Sequence, residues 1–107
     1  MIARPFAEVA SVGVAVPPGV LTNADLSQML DTSDAWIVER TGIRERHIAR
    51  PEETVALLSQ EASEGAMALA GVTADELDAI VLATASPDRL LPSTACDLQA
   101  MLLPSGE

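Results

Sequence analysis

The run Ala79-Ile-Val-Leu-Ala-Thr-Ala85 constrains the fold more than any other stretch of the chain. It reads as continuous and apolar with β-branched members, the pattern of a strand buried on both faces in a parallel sheet. Ala7 to Val16 has the same character. Ala10, Val12, Val14 and Val16 fall on one face of that strand, and Val9, Ser11, Gly13 and Ala15 on the other, all of them small. Pro17-Pro18-Gly19 ends it. Gly13 reads as a packing device that lets a neighbouring layer come close.

The intervening segments carry helix signals. Thr22-Asn-Ala-Asp25 has capping-box spacing, with Asp in place of the usual Glu, and opens a short helix to Leu30. Ser33 is placed as an N-cap with Asp34 in the first turn, and Thr41-Gly42 stops that helix. Ile43 to Ile48 alternates as an exposed extended segment does. Pro51-Glu-Glu-Thr54 starts the longest helix, which runs to about Ala70 and closes at Gly71. Its expected inward stripe is Val55, Leu58, Ala62, Ala66 and Leu69, with Ser59, Gln60, Ser63 and Glu64 facing away. Thr73-Ala-Asp-Glu76 is a second capping box, opening one short turn. Pro92 and Ser93 start a last helix running to Leu103. Strand, helices, strand, helix is an α/β order with a mainly parallel sheet covered by helices. So few strands cannot complete a sheet buried on both faces. The chain therefore either pairs with another copy or is part of a longer protein.

At 107 residues one domain is expected. Hydrophobic residues make up 49% of the chain and aromatic residues 2%, so the core has to be built from Ala, Val, Leu and Ile. The formal net charge of −10 argues against nucleic acid as a general partner. Positive charge is concentrated in one place. Asp31 to His47 holds three of the six arginines (Arg40, Arg44 and Arg46) together with the only Trp and the only His, and Arg50 follows closely. Trp36 and Arg40 are four residues apart and share a helix face. An indole plane beside a guanidinium suits a flat heterocycle carrying anions, which describes nucleotides and coenzyme A. A core tryptophan and a solvated arginine face are the competing reading.

Cys96 is the sole cysteine, so no internal disulfide is possible and a reducing cytoplasm is the default. It lies in Ala-Cys-Asp-Leu on an apolar helix, with no base nearby in sequence, and reads as a small buried hydrophobe rather than a nucleophile. His47 lacks a second His or Cys partner, so no metal site can be argued, and it reads as a surface or packing residue. The acidic residues gather at helix starts, where capping accounts for them. Met1 to Phe6 lacks a secretory pattern, and no apolar run reaches membrane-spanning length.

Several motifs agree in order with one family. Thr22-Asn-Ala-Asp-Leu, Asp31-Thr-Ser-Asp-Ala-Trp-Ile, Arg40-Thr-Gly-Ile-Arg-Glu-Arg and Pro92-Ser-Thr-Ala-Cys-Asp-Leu-Gln resemble blocks of β-ketoacyl-acyl carrier protein synthase III, a thiolase-like enzyme. The resemblance runs from about Val9 to Leu102. It implies that residues 1–107 form part of the first half of a thiolase-like fold, with the C-terminal half absent. It also implies an acyltransferase of fatty acid or polyketide biosynthesis, which loads an acyl group from acyl-CoA onto a Cys and condenses it with malonyl-acyl carrier protein. The family's nucleophilic Cys and its His and Asn partners lie beyond this chain, so no catalytic residue is expected here and the chain alone should be inactive.

By the same resemblance Thr32, Trp36, Arg40 and Thr41 line the coenzyme A entrance, with Trp36 stacked on adenine. Leu91 takes a position, often aromatic, that reaches across a homodimer toward the partner's acyl pocket. Leu departs from that pattern and leaves acyl preference open. No metal and no cofactor beyond acyl-CoA as substrate is implied, nor nucleic acid or membrane, and the location is cytoplasmic. Two alternatives stand beside this one: a truncated, non-catalytic thiolase-like module, and a synthase III-like acyltransferase of secondary metabolism that forms esters or ketides.

Overall fold

A computed structural model describes residues 6–103. The chain divides into two units, one of residues 6–15 and 55–103, the other Val16–Thr54.

In the second unit, β1 (Val20–Thr22) runs directly into α1 (Asn23–Met29), followed by α2 (Asp34–Thr41) and β2 (Glu45–His47). The junction between β1 and α1 is the predicted capping box. The Thr22 hydroxyl accepts from Asp25 N at 3.1 Å, and the Asp25 carboxylate accepts from Thr22 N at 2.9 Å. The Ser33 hydroxyl accepts from Trp36 N at 3.2 Å, starting α2. Gly42 ends α2 at φ 71°, the left-handed conformation that Gly takes without a Cβ clash. The strands pair antiparallel, Val20 opposite His47 and Leu21 opposite Arg46. Backbone bonds from Ile48 N to Gly19 O (2.8 Å) and from Asn23 N to Arg44 O (3.2 Å) extend the ladder at both ends. Ile37 of α2 is 6% exposed and forms the apolar centre.

The first unit is built on α3 (Val55–Ala70) and α4 (Thr94–Leu102), which pack together, with a 3₁₀ turn at Ala74–Glu76 between them in sequence. The cap of α3 comes from far away in sequence: the Asp88 carboxylate accepts from Val55 N at 2.8 Å and Ala56 N at 2.9 Å. It meets two of the four amides that a helix start leaves open, and it puts negative charge at the positive end of the dipole. The helix therefore begins at Val55, and the expected start at Pro51 is a turn closed by Glu53 N on Arg50 O. Gly71 closes α3 at φ 69°, as expected.

The two expected buried strands need correction. Residues 7–16 and 79–85 carry no ladder, and among the described residues the one sheet is the antiparallel pair β1 and β2. A strand is defined by its partner, and neither stretch has one in the described residues. The period of two survives. Ser11, Gly13 and Ala15 are half-buried while Val12 and Val14 are 74% and 79% exposed. Likewise Ile80 and Leu82 are half-buried while Val81 is 94% exposed. One face of each is covered and the other is open.

The covered face of residues 11–15 lies on α3. The Ser11 hydroxyl donates to Ala66 O at 2.7 Å, and a Cβ on Gly13 would overlap Ala62 O and stand 2.7 Å from Ala66 N. That close approach turns the small-residue face of α3 inward. Val55, Leu58, Ala62 and Ala66 of the expected stripe are half-buried; Ser59, Gln60 and Ser63, expected outside, are half-buried too, and Leu69, expected inside, is 77% exposed. On α4 the buried face carries Thr94 and Leu98, four residues apart. Cys96 lies two residues from each and is exposed, contrary to the expectation of a buried thiol.

Candidate functional site

α2 presents the aromatic–cationic pair that the spacing predicts. Arg40 Cζ lies 4.5 Å from the centroid of the Trp36 ring, a cation–π arrangement, and Trp36 is 53% exposed. A core anchor would be covered, so this tryptophan offers its ring to solvent or to a ligand. Beside it is an open hollow of about 600 Å³, lined by Leu26, Leu30, Thr32, Trp36 and Ile37 among others. The Thr32 hydroxyl is buried and has no hydrogen-bond partner. A buried hydroxyl left without a partner is costly, and this one is covered from solvent rather than open to the hollow. Apolar walls with a few polar groups and a half-exposed aromatic edge are the make-up of a small-molecule site.

The expected site residues divide. Thr32 and Trp36 line the hollow, and Arg40 joins them by covering the Trp36 ring. Thr41 is exposed at the end of α2 and is not among the residues of the hollow. Its hydroxyl donates to Ile37 O at 2.7 Å and accepts from Ile43 N at 3.1 Å. Leu91 belongs to the first unit. Leu90 and Leu91 are 88% and 83% exposed, so neither fills the local core. Just before them the loop is pinned to both helices, by Asp88, which caps α3, and by Arg89, which pairs with Asp97 of α4.

The arginines also divide. Arg46 turns toward α1, its Nη1 donating to Asn23 Oδ1 at 2.7 Å, while Arg44 is exposed. His47 Nδ1 lies 2.6 Å from the Pro17 carbonyl oxygen, which can only accept, so Nδ1 carries the proton. That is a packing role, as expected. Among the described residues no group of three or more His, Cys, Asp or Glu is placed to hold a metal ion. No helix among them is long and apolar enough to cross a membrane.

Sequence reasoning missed Asn23, Asp34 and Asp88. Asn23 is 1% exposed, and its Nδ2 donates to Asp34 Oδ1 and to Ile43 O, both at 2.8 Å. Its partners lie 11 to 23 residues away, and an Asn just inside a capping box looks locally like any helix-start residue.

A short α/β structure of this kind, with helices beside a two-stranded ribbon, is part of a thiolase-like fold. The chain is a homologue of β-ketoacyl-acyl carrier protein synthase III over almost its whole length. It is 53% identical over 102 residues to the β-ketoacyl-[acyl-carrier-protein] synthase III of Xanthomonas axonopodis, a match covering 95% of this chain and 31% of that protein. The crystal structure of 3-oxoacyl-[acyl-carrier-protein] synthase III from Aquifex aeolicus aligns with a TM-score of 0.85 at 46% identity, covering 92% of this chain and 32% of that one. The priming β-ketosynthase of the R1128 polyketide pathway aligns with a TM-score of 0.85 at 33% identity, over 92% of this chain and 30% of its own. The chain thus spans about a third of the length of these relatives. No family model matches it.

Proposed function

We propose that this chain is the N-terminal portion of a β-ketoacyl-acyl carrier protein synthase III and carries the coenzyme A-recognising part of that enzyme. The observation that supports this best is the half-exposed Trp36 ring with Arg40 over it, beside a largely apolar hollow that Thr32 helps to line. The adenine of an acyl-CoA stacks on Trp36, Arg40 supplies the charge that its phosphates require, and Thr32 lines the hollow beside them. Thr41 acts at the rim through the backbone it braces.

The whole enzyme moves an acyl group from acyl-CoA to a cysteine and condenses it with malonyl-acyl carrier protein, releasing carbon dioxide. That cysteine and its partners lie in the part of the family that this chain does not span, so the chain binds but does not catalyse. It works as a homodimer in the cytoplasm, in which Leu91 reaches toward the partner's acyl pocket, and it uses no cofactor beyond its acyl-CoA substrate. The likeness to a priming β-ketosynthase of a polyketide pathway supports a second reading, an acyltransferase of secondary metabolism with the same coenzyme A site.

Calorimetric titration of the chain with coenzyme A tests the proposal. Trp36→Ala should weaken binding by about 1–3 kcal/mol, the scale of one base–aromatic stack. Arg40→Ala should weaken it too, and more so at low salt. Equal affinity of both variants and the parent would remove the assignment.

A further inference from the structure

We infer that Asn23 is the positioning residue for the Trp36–Arg40 helix: through one buried amide it ties the start of α2 to the start of α1 and to β2, and so sets how the ring is presented. This rests on the proposed coenzyme A site, although its first readout does not.

The geometry leaves the amide no freedom. The Arg46 guanidinium can only donate, so the atom it meets at 2.7 Å must be the Asn23 oxygen. That fixes Nδ2 on the other side, with one hydrogen on Asp34 Oδ1 and the other on Ile43 O, both at 2.8 Å. The backbone of the same residue is also engaged: Asn23 N donates to Arg44 O at 3.2 Å, and Ser27 Oγ donates to Asn23 O at 2.9 Å. Asn23 is the first residue of α1 and Asp34 the first residue of α2, so one bond joins the starts of the two helices. Trp36 lies two residues beyond Asp34 in the same first turn. A tilt of α2 about that end therefore moves the ring and the hollow beneath it together. At 1% exposure the amide has no water to replace a lost partner. A small core with a single buried large residue on α2, Ile37, gives little packing to hold the angle instead.

Trp36 is the only tryptophan, so its indole N–H gives one resonance that reports its placement directly. Asn23→Asp keeps an acceptor for Arg46 but sets two carboxylates face to face with no hydrogen between them. Adding Asp34→Asn restores a donor at that contact and leaves one mismatch, a carboxylate oxygen facing Ile43 O where Nδ2 had donated. The full chain and both variants are compared by the indole resonance, by far-UV circular dichroism and by coenzyme A titration. Asn23→Asp should displace the indole resonance and raise the Kd for coenzyme A about tenfold, the lower range for losing a supporting contact behind a binding site. Asn23→Asp/Asp34→Asn should return both toward the parent.

An unmoved indole resonance in a folded Asn23→Asp chain would overturn the inference. If Asn23→Asp unfolds, the double variant decides: a parent-like resonance sustains the inference, and a displaced one or an unfolded chain overturns it. Should coenzyme A leave the parent resonance untouched, the proposed function fails, while the resonances of the variants still decide the role of Asn23.

Discussion

Replacing Gly13 with Ala should strip a large share of the stability of the first unit. The added Cβ would overlap the Ala62 carbonyl oxygen and lie 2.7 Å from Ala66 N. Both are backbone atoms of α3, so no side chain can swing aside and the helix itself has to move back. That movement also lengthens the 2.7 Å bond from Ser11 Oγ to Ala66 O. Overpacking of a tight contact costs about 1–3 kcal/mol, and a clash with backbone belongs at the upper end. Removing a glycine from the unfolded chain returns about 0.4–1 kcal/mol. The net loss is therefore about 2 kcal/mol, which lowers Tm by about 8–16 °C for a domain of this size. Urea unfolding followed by far-UV circular dichroism measures it, with Ser11→Ala as the companion that loses a hydrogen bond of about 1 kcal/mol without a clash. A Gly13→Ala chain within about 0.5 kcal/mol of the parent, the range of an inert surface change, would refute the close approach of residues 11–15 to α3.

Asp88→Ala should cost about 1 kcal/mol, the usual worth of a helix cap, and hydrogen exchange at Val55 and Ala56 should quicken ahead of the rest of α3. Asp25, Asp75 and Glu76 are held below their ordinary carboxylate values, chiefly by hydrogen bonds with Thr22, Thr73 and the Thr73 backbone respectively. A lowered folded-state value means that each contribution is present above the ordinary carboxylate range and is lost as pH falls through the lowered one. Carboxyl titration by NMR should show Thr22→Val bringing Asp25 back toward its ordinary value, and an unshifted midpoint in the parent would contradict the capping box. In the whole enzyme, Leu91→Phe should disfavour longer or branched acyl-CoA by about 1–3 kcal/mol in kcat/KM across a chain-length series, the scale of a methylene or two in an apolar pocket. An unchanged profile would remove Leu91 from acyl selection.

Local signals were legible in the sequence wherever a cap or turn is made by neighbours in the chain. The Thr22–Asp25 box, the Ser33 cap and the Gly42 and Gly71 stops stand where spacing puts them. The same holds for Trp36 and Arg40, because a four-residue spacing on a helix fixes their meeting. What escaped was long-range. Asp88 caps a helix 33 residues earlier in the chain, and Asn23 is satisfied by Asp34, Ile43 and Arg46. Periodicity separates the two faces of residues 11–15, but the expectation that both faces are buried fails there and in residues 79–85, where Val12, Val14 and Val81 are exposed; pairing is not legible either, since a ladder belongs to two strands and one pattern describes only one of them. Cys96 was misplaced because the Ala-Cys-Asp-Leu run is apolar on average, while burial follows the Thr94–Leu98 face. The inward stripe of α3 holds at Val55, Leu58, Ala62 and Ala66, the last two being the residues Gly13 approaches, and fails at Leu69, in the last turn of the helix.

In the proposed site Trp36 and Arg40 receive the nucleotide end of coenzyme A. The most direct measurement is the emission of Trp36, the only tryptophan in the chain, during titration with coenzyme A and, separately, with pantetheine, which lacks the nucleotide. Stacking of adenine on the half-exposed ring should give a saturable change with coenzyme A that Arg40→Ala weakens, and pantetheine should give none. The same response to both ligands, or none to either, would contradict it.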